Sequence, residues 1–421
     1  MLTAILMMAA LGIIAFGIIF IYFVGQHLFR RHQLKKKQVG TNKKPPSLPL
    51  DVNRQLEILN NGEELFPRLL KKIEQATRYV HLLSFIVKND QLAHQLFETM
   101  VKKAKEGVDV RLLVDGLGSL KLVRSGVPER LKAQGVKCAV FAPLSWRHLL
   151  NINDRNHRKL AVIDGQSAFV GGLNIGREYV HQDPQLGYWR DIHLYIEGES
   201  VRKLEQIFAT DWHAATGEWP NREAAAPCPS ALLKGDDPSA ILAQVVASGP
   251  QENHPLNKES YLSVINRARQ RVWLGTPYFV PDQELLAALC SAKKRGVDVQ
   301  LIVPERTDKT LVHYASFAPL KRLLNTGIPV YLYCKGFYHA KFAVVDDSPI
   351  IVGSSNLDQR SFMYSYETDL LIYNRRLAKE AMRLYQSDLK VCRRLTLEEL
   401  ASRPVWQKAA SRIASLLSPW L

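Results

Sequence analysis

The sequence predicts an α/β protein built from two related halves with one shared active site, preceded by a membrane-spanning helix at the amino terminus. Three observations support this: strand and helix patterns alternate along the chain, the second half repeats the first, and 23 uncharged residues follow the initial methionine. Alternating strands and helices are typical of a sheet with helices packed on its faces. Two such halves related by a pseudo-twofold axis would bring equivalent residues together in one cleft.

The internal repeat sets the predicted boundaries. Residues 73–92 align with 265–285, and residues 107–114 align with 296–303. We therefore expect a first half over 55–222, a linker rich in Ala, Pro and Ser over 223–238, and a second half over 239–421. Residues 397–421 are predicted to form an amphipathic helix that packs on the body.

Within the first copy, local patterns predict the individual elements. A short apolar run predicts a strand near residues 79–87, helical periodicity predicts a helix over 91–105, and a β-branched run predicts a strand near 108–114. Residues 276–282 contain two prolines. This segment is either a simple turn after a strand or part of the site.

Five residues recur at the same spacing in both halves. They are His157, Lys159, Asp164, Gly171 and Asn174, and then His339, Lys341, Asp346, Gly353 and Asn356. In each copy the histidine and lysine lie two residues apart beside an apolar run, so both side chains leave one face of a predicted strand. A second strand follows, at 168–170 and 350–352, and ends in a turn whose glycine lets backbone approach a ligand. The repeated pattern indicates chemistry on phosphate.

Two histidines, two lysines and two asparagines suit a phosphodiester that is transferred in two steps. One neutral imidazole attacks phosphorus, the other protonates the leaving alkoxide, and the roles reverse for an incoming alcohol or water. The lysines, with Asn174 and Asn356, would hold the non-bridging oxygens. This chemistry requires no divalent ion, and we expect neither a metal nor a cofactor.

The doubled pattern resembles the paired HKD motifs of the phospholipase D superfamily, and the likeness is closest to its bacterial cardiolipin synthases. It extends from residue 56 to residue 421 and includes the segments 188–191, 276–282, 353–362 and 417–421. The sequence departs from the pattern at Ser365, where these synthases usually carry asparagine. The resemblance implies two phospholipase D-like α/β/α sandwich halves.

The same resemblance implies roles for individual residues. A carboxylate about 25 to 35 positions after each histidine would accept its other ring proton, and Asp191 and Glu367 match. His157 would be the nucleophile and His339 the acid and base, while the motif aspartates would be more structural. From the residues alone, ordinary exposed carboxylates remain the alternative interpretation of Asp191 and Glu367, and sequence symmetry does not decide between the histidines.

Residues 2–24 carry no charge. A helix of these 23 residues is long enough to span a hydrocarbon core of about 30 Å. A cleavable signal peptide is the alternative, but no basic region precedes this run and no convincing small-residue cleavage site follows it. We expect an uncleaved single-pass anchor over 1–25 in the bacterial inner (plasma) membrane.

A basic linker over 26–54 follows the anchor. Seven basic residues come before the first acidic residue, Asp51; they are Arg30, Arg31, Lys35, Lys36, Lys37, Lys43 and Lys44. By the positive-inside rule they remain in the cytoplasm, together with the catalytic body. They would also adhere to anionic lipid.

The first copy carries ten extra residues between Gly135 and His157, relative to the second. The insertion includes residues 143–152 with Trp146. It is interpreted either as core packing or as a loop at the lipid headgroup boundary.

The predicted function is a phosphatidyltransferase that converts two phosphatidylglycerol molecules into cardiolipin and glycerol. Its partners would be anionic phospholipid and the membrane, with no nucleic acid, although the net charge of +16 would also suit a nucleic acid backbone. The five scattered cysteines fit reduced cytoplasmic thiols and no metal site. A hydrolytic phospholipase D, a membrane-tethered nuclease and a non-catalytic lipid-binding scaffold are the alternatives.

Overall fold

One continuous sheet runs through both halves of the protein. The computed structural model describes residues 17, 22, 25, 48–144, 153–220, 240–250, 252 and 254–418. Within them, the unit formed by Leu48–Pro250 and Pro255–Leu421 carries a 15-stranded sheet and two short two-stranded sheets.

The strands in chain order are β1 (Asp51–Leu59), β2 (Tyr79–Ser84), β3 (Asp109–Asp115), β4 (Lys137–Phe141), β5 (Lys159–Ile163), β6 (Ser167–Gly171), β7 (Tyr188–Arg190), β8 (His193–Gly198), β9 (Ile241–Ser248), β10 (Arg271–Gly275), β11 (Phe279–Val280), β12 (Asp298–Pro304), β13 (Val330–Tyr333), β14 (Gly336–Tyr338), β15 (Phe342–Val345), β16 (Ile350–Gly353), β17 (Leu357–Asp358), β18 (Glu367–Tyr373) and β19 (Cys392–Arg394). The helices are α1 (Gly62–Glu74), α2 (Gln91–Lys105), α3 (Leu120–Arg124), α4 (Val127–Ala133), α5 (Glu199–Thr216), α6 (Leu256–Arg267), α7 (Gln283–Lys294), α8 (Thr310–Asn325), α9 (Gln359–Met363), α10 (Arg375–Leu389), α11 (Leu397–Ala401) and α12 (Val405–Leu416). A short 3₁₀ helix covers Arg177–Val180.

The order of strands across the large sheet is the same in the two halves. Outward from the centre, the first half reads β1, β8, β6, β5, β2, β3, β4, and the second reads β9, β18, β16, β15, β10, β12, β13, with β19 at the outer edge. At the centre, β1 and β9 pair antiparallel, with Asp51 opposite Ala243. The repeat in the sequence is therefore a repeat in topology, and the predicted α/β class is confirmed. The halves are joined edge to edge in one sheet.

Helices cover both faces of this sheet, and the strand residues divide between two sides. On one side a single apolar core spans both halves and includes Leu204 of α5 and Leu377 of α10. On the other side each half has its own core, one around Met100 of α2 and one around Leu289 of α7. The motif strands β5 and β15 are buried along their whole length, because both of their faces are covered.

Equivalent helices begin with equivalent caps. Asp90 accepts a hydrogen bond from Ala93 N at 3.1 Å ahead of α2, and Asp282 accepts one from Leu285 N at 2.9 Å ahead of α7. An aspartate at the N-cap satisfies an amide that the helix itself cannot pair. These aspartates belong to the aligned parts of the repeat, so the second copy begins its helix for the same physical reason.

Most predicted elements agree with the structure, and two differ in their bounds. The helix predicted over 91–105 is α2, and the predicted strands near 79–87 and 108–114 are β2 and β3. The linker predicted to end at residue 54 ends earlier, because β1 begins at Asp51 and pairs with both β8 and β9. The helix predicted over 397–421 is broken into α11 and α12 around Pro404, which lacks the amide that a continuous helix needs.

Several predicted features lie outside the described residues. These are nearly all of the predicted anchor over 1–25, most of the basic linker, the linker over 223–238 and most of the insertion around Trp146. Among the helices that the structure does describe, none has both the length and the apolar character needed to cross a bilayer.

The motif aspartates fasten the end of each motif strand to the turn before a neighbouring strand. The carboxylate of Asp164 accepts from the backbone amides of Thr77, Arg78 and Tyr79, each at 2.9 Å. The carboxylate of Asp346 does the same with the amides of residues 269–271, at 3.0, 2.7 and 2.9 Å. Both aspartates lie at the far end of the motif strand from the histidine and lysine.

We predict that Asp346→Ala lowers the free energy of unfolding by about 2–4 kcal/mol, since three amides lose a charged acceptor and alanine is strained at a φ of 50°. Urea unfolding of the detergent-solubilised chain measures this. The neighbouring Asp347→Ala is the matched control, because Asp347 makes only a 3.5 Å surface ion pair with Arg271 and its loss should cost less than about 1 kcal/mol. Equal destabilisation by the two variants would contradict the capping role.

Candidate active site

Each motif histidine is held by the opposite half through its own backbone. His339 N donates to Arg190 O at 2.7 Å, at the end of the parallel pair formed by β14 and β7. In the same way, His157 N donates to Tyr366 O at 3.0 Å, beside a parallel bridge between Asn156 and Tyr366. Arg190 and Tyr366 immediately precede the two predicted carboxylates. Each histidine side chain therefore lies beside the carboxylate of the other half.

The side-chain pairs are consequently crossed. His157 Nδ1 lies 3.0 Å from both carboxylate oxygens of Glu367, and His339 Nδ1 lies 2.6 Å from Asp191 Oδ2. The resemblance implied that each histidine pairs with the carboxylate that follows it in the same half, and that pairing was wrong, because the contact depends on parallel segments that are distant in sequence. Asp191 and Glu367 are each 0% exposed, which excludes the alternative of ordinary surface carboxylates. Because Nδ1 is engaged in both rings, Nε2 is the atom left for chemistry.

The motif lysines are buried beside their own histidines. Lys159 Nζ donates to His157 O at 2.5 Å, and its ammonium lies 5.3 Å from the centroid of the Phe85 ring. Lys341 Nζ donates to His339 O, lies 3.3 Å from His339 Nε2 and is 3.9 Å from Asp191 Oδ2. Burial lowers the pKa of both lysines, that of Lys159 well below 10.5; an anion bound beside them favours their charged forms, because little water screens the attraction.

The two halves differ at the residue that touches each carboxylate. A Cβ at Gly172 would lie 2.1 Å from Asp191 Oδ1, so only glycine leaves room for that carboxylate. The equivalent residue in the second half is Ser354, whose hydroxyl donates to Glu367 Oε2 at 2.5 Å and accepts from Thr368 N at 2.9 Å. In the first half a glycine leaves room for the carboxylate, whereas in the second half a serine at the same position donates a hydrogen bond to it.

Burial and the neighbouring charges shift the pKa values in this site. Burial, reinforced by the positive charge of Lys159 and Lys341, lowers the pKa of His157 well below 6.5. Burial and Lys341 lower the pKa of His339 to about 4, although Asp191 opposes them. Burial lowers the pKa of Lys341 to about 8. Both imidazoles are therefore neutral near pH 7, as a nucleophile or a base must be. The charge of Lys341, in the second motif, contributes to the lowered pKa of His157 in the first motif. The two motifs therefore form one site.

The two carboxylates are shifted in opposite directions. Burial raises the pKa of Glu367 to about 8, and Lys159 and Ser354 only partly oppose this. Burial alone would raise the pKa of Asp191, but Lys341 and His339 outweigh it, and the pKa lies below 3.8. Near neutral pH, Asp191 is an ionised acceptor for His339, whereas Glu367 retains a proton in the absence of substrate.

The two motif asparagines are not equivalent either. Asn174 Oδ1 accepts from Ile86 N at 3.0 Å and its amide donates to Tyr179 OH at 3.1 Å, so the scaffold uses both ends of this side chain. Asn356 Oδ1 is buried with no hydrogen-bond partner in the described part of the chain, and Asn356 lines the cavity next to His157. The structure brings only Asn356 into that cavity.

The cavity beside His157 has a volume of about 280 Å³ and is lined mainly by the second half. Its cationic lining residues are Arg155, Lys309 and Arg360, and Tyr278 and Ser365 also face it. Lys309 Nζ lies 4.5 Å above the Tyr278 ring. The segment 276–282 is therefore part of the site, as one of its two interpretations predicted.

Two buried arginines that the prediction did not include hold the crossed segments in place. Arg158 binds Asp211 of α5 at 2.6 and 2.7 Å and also donates to Glu367 O at 3.2 Å. Arg190 binds Asp388 of α10 at 2.8 and 2.9 Å and donates to Asp191 O at 2.9 Å. Both arginines are adjacent to site residues in sequence, which was an available signal. Their aspartate partners lie 53 and 198 residues away, and no local pattern marks them.

Comparison with known proteins agrees with this geometry. Residues 69–212 and 261–389 match the family model described as "Cardiolipin synthase, PLD-like domain". The cardiolipin synthase of Alkalihalophilus pseudofirmus is 39% identical over 410 residues, covering 94% of this chain and 79% of that protein. The major cardiolipin synthase of Bacillus subtilis is 37% identical over 367 residues, covering 87% of this chain and 75% of that protein.

Solved structures support the fold. The crystal structure of phosphatidylserine synthase from Haemophilus influenzae matches 92% of this chain and all of its own, with a TM-score of 0.68 at 18% identity. Polyphosphate kinase from Porphyromonas gingivalis matches 89% of this chain and 57% of its own, with a TM-score of 0.55 at 12% identity. Sequence, fold and site geometry together show that the chain belongs to the cardiolipin synthase family of phospholipase D-like proteins.

Proposed function

We propose that this protein is a cardiolipin synthase that transfers a phosphatidyl group between two phosphatidylglycerol molecules, using His157, Lys159, His339 and Lys341. The observation that carries this is the crossed pairing, in which each histidine is oriented by a buried carboxylate of the other half. Two neutral imidazoles and two ammonium groups in one buried site are the groups that a two-step phosphodiester transfer requires.

In the first step, His157 Nε2 attacks the phosphorus of one phosphatidylglycerol. A P–N bond forms as the P–O bond to glycerol breaks, and His339 protonates the departing glycerol oxygen. In the second step, His339 takes the proton from a hydroxyl of the second phosphatidylglycerol, whose oxygen attacks phosphorus as the P–N bond breaks. The products are glycerol and cardiolipin, and both histidines return to their starting state.

The pKa shifts suit this sequence once substrate binds. The lysines and burial hold the pKa of His339 at about 4 in the empty site, which is too low for an efficient acid near neutral pH. A bound phosphodiester anion adds negative charge beside His339 and so raises its pKa. Ionised Asp191 stabilises the imidazolium that forms after proton transfer. Asp191 and Glu367 would therefore act as orienting groups, through the rings that they contact.

The cavity beside His157 favours a lipid acceptor over water. Arg155 is buried, and its Nε and Nη2 have no hydrogen-bond partner among the described residues; the same holds for Arg360 Nε. Together with Lys309, they offer donors for a second anionic headgroup next to the first. Water as the acceptor would need none of them. Asn356 would contribute a further contact to phosphate, whereas the scaffold contacts of Asn174 leave its predicted phosphate role without support.

We also propose that residues 1–25 anchor the protein in the bacterial membrane with its catalytic body on the cytoplasmic side. The uncharged run of 23 residues and the seven basic residues after it support this orientation. A substrate that never leaves the bilayer is then always within reach of the enzyme.

The decisive experiment incubates the purified full-length chain with phosphatidylglycerol vesicles and follows the lipids by mass spectrometry. We expect cardiolipin and glycerol in equal amounts, and we expect His157→Ala and His339→Ala each to reduce the rate by about 10³-fold or more. Phosphatidic acid as the sole product would identify a hydrolase. Unchanged lipid together with cleavage of plasmid or RNA would identify a nuclease.

The same preparation distinguishes the two histidines. Rapid quenching in denaturant at mildly alkaline pH, at which the P–N bond is stable, followed by peptide mass spectrometry should find the phosphatidyl adduct on His157. An adduct on His339 would reverse the assigned roles while leaving the overall reaction intact. Undiminished activity of His157→Ala would contradict the mechanism.

We predict that Gly172→Ala reduces the rate of cardiolipin formation by about 100-fold or more, because its Cβ displaces Asp191 from His339. Initial rates on phosphatidylglycerol vesicles measure this. Gly107→Ala is the control: its φ of 88° costs some stability, but no atom lies within 4 Å of the added Cβ. A wild-type rate in Gly172→Ala would show that the contact between Asp191 and His339 does not govern catalysis.

We predict a distinct pH dependence of stability for Glu367→Gln. Because the pKa of Glu367 is raised to about 8 in the folded protein and lies near about 4.3 when exposed, its contribution to stability is lost as pH rises between these values. Glutamine does not titrate, so the melting temperature of the variant should rise relative to the wild type from pH 5 toward pH 8. Exposed Glu63→Gln should follow the wild type. A constant difference across this range would refute the raised pKa.

A further inference from the structure

The carboxyl-terminal helix α12 exposes a continuous apolar stripe to solvent. The exposed fractions are 81% for Val405, 60% for Trp406, 59% for Ile413 and 68% for Leu416. At 100° per residue these four side chains and Ala409 fall within an arc of about 100°. Isolated exposed hydrophobic residues are ordinary, but a contiguous stripe of large ones marks an interaction surface.

The opposite side of α12 is packed, so the stripe is not the helix's own core contact. Ser411 and Ala414 are buried, and Ala414 belongs to a small core with Val312 and Ala315 of α8. The helix is thus fixed on the body by one face and presents its more apolar face outward. An amphipathic helix that only had to pack would bury the larger side chains.

The charges on this segment have one sign. Lys408 and Arg412 lie along the Val405 edge of the stripe and are exposed, and the sequence contains no Asp or Glu after Glu399. A stripe of Trp, Ile, Leu and Val with lysine and arginine at its edge is the pattern of a helix that lies in the plane of a lipid interface. The edge cations complement anionic headgroups.

The helix that carries the stripe packs beside one wall of the cavity that contains His157. α12 packs on α8, and the first turn of α8 supplies Leu311 and Val312 to the cavity wall. Leu311 is itself 41% exposed. Through α8, the helix that bears the stripe is therefore joined to a wall of the cavity that includes an exposed leucine.

Two further exposed leucines lie on first-half segments that are hydrogen-bonded to lining residues of the cavity. Phe85 lines the cavity and its carbonyl accepts from Ser119 Oγ at 3.0 Å, which ties it to the loop that exposes Leu117. Arg155 Nη1 donates to Ala142 O at 3.0 Å, close to Leu144. Leu117 and Leu144 are 36% and 40% exposed. Segments of both halves that contact the cavity lining thus carry exposed apolar side chains.

We propose that the surface formed by α12, Leu311, Leu117 and Leu144 docks on the headgroup boundary of an anionic bilayer, with the mouth of the cavity facing the lipid. The contact follows from the stripe and its cations. Its purpose rests on the proposed function, because a lipid phosphodiester can reach His157 from the bilayer only if the opening faces the membrane. This contact is separate from the predicted anchor over 1–25, and it sets the orientation of the body that an anchor alone leaves free.

A depth probe tests this contact even if the amino-terminal segment also binds lipid. The fluorophore NBD is attached to Ile413→Cys in the full-length chain with its five native cysteines replaced by serine or alanine. Lys132→Cys is the matched control, because Lys132 is exposed and precedes the amino-terminal end of β4, whereas the cavity residue Arg155 contacts Ala142 beyond the carboxyl-terminal end of that strand. With phosphatidylglycerol vesicles we expect the emission at 413 to shift to the blue, and lipid-borne quenchers to quench it at least about twofold more than at 132.

Other occupants of the stripe give different results. If both probes remain aqueous while the chain is bound to vesicles, the proposal is wrong. A blue shift at 413 before lipid is added would also overturn it: loss of the shift on dilution would identify a second copy of the chain, and a shift independent of concentration would identify a segment of the same chain. Failure to form cardiolipin would refute the proposed function without altering the probe result.

Hydrogen exchange of the unmodified chain keeps the proposal testable if the cysteine-free chain does not fold. Peptides that cover 405–416 should exchange at least about twofold more slowly when vesicles are added, while peptides over 127–133 should not change. Equal exchange in both peptides with and without vesicles would overturn the docking surface.

Discussion

The site depends on two backbone hydrogen bonds that cross between the halves, from His339 N to Arg190 O and from His157 N to Tyr366 O. In each bond the acceptor is the residue that directly precedes the carboxylate of the opposite half. The histidine and that carboxylate are therefore neighbours across a parallel pair. The ring is then oriented by that carboxylate, and Nε2 is left for substrate. An isolated half would contain a histidine and a lysine, but neither the carboxylate that orients the ring nor the second histidine. The shared site is therefore a consequence of the fused sheet.

The pseudo-symmetry is exact in topology and broken in chemistry. Asp191 contacts a glycine and two cationic or potentially cationic groups, which keep it ionised, whereas the longer Glu367 is held by the Ser354 hydroxyl and retains its proton until pH is high. The two histidines consequently sit in different electrostatic surroundings, although their backbones are equivalent. Such a difference suits a reaction in which one ring bonds to phosphorus and the other moves a proton.

Burial of Lys159 and Lys341 leaves the empty site short of negative charge. The cost of burying ammonium groups is offset only in part by Asp191, and a phosphodiester supplies the remaining charge. The adjoining cavity continues this arrangement with Arg155, Lys309 and Arg360, and its lining includes the exposed Leu311. The cationic residues of the cavity match an anionic lipid headgroup, and the exposed apolar residues match the boundary of the membrane that holds the acyl chains.

The sequence by itself determined the α/β class, the duplication and the residue types of the site, because these depend on local periodicity and on motifs repeated at fixed spacing. The aligned repeat also contained Asp90 and Asp282, which the structure shows to be equivalent helix caps. Only the tertiary structure decided which carboxylate orients which histidine, because the partners meet through parallel contacts between segments 148 and 210 residues apart. The same holds for the pairs Arg158–Asp211 and Arg190–Asp388, for the different roles of Asn174 and Asn356, and for the outward apolar face of α12. In each case the side chain is visible in the local sequence, but the residue that it contacts depends on packing between distant segments.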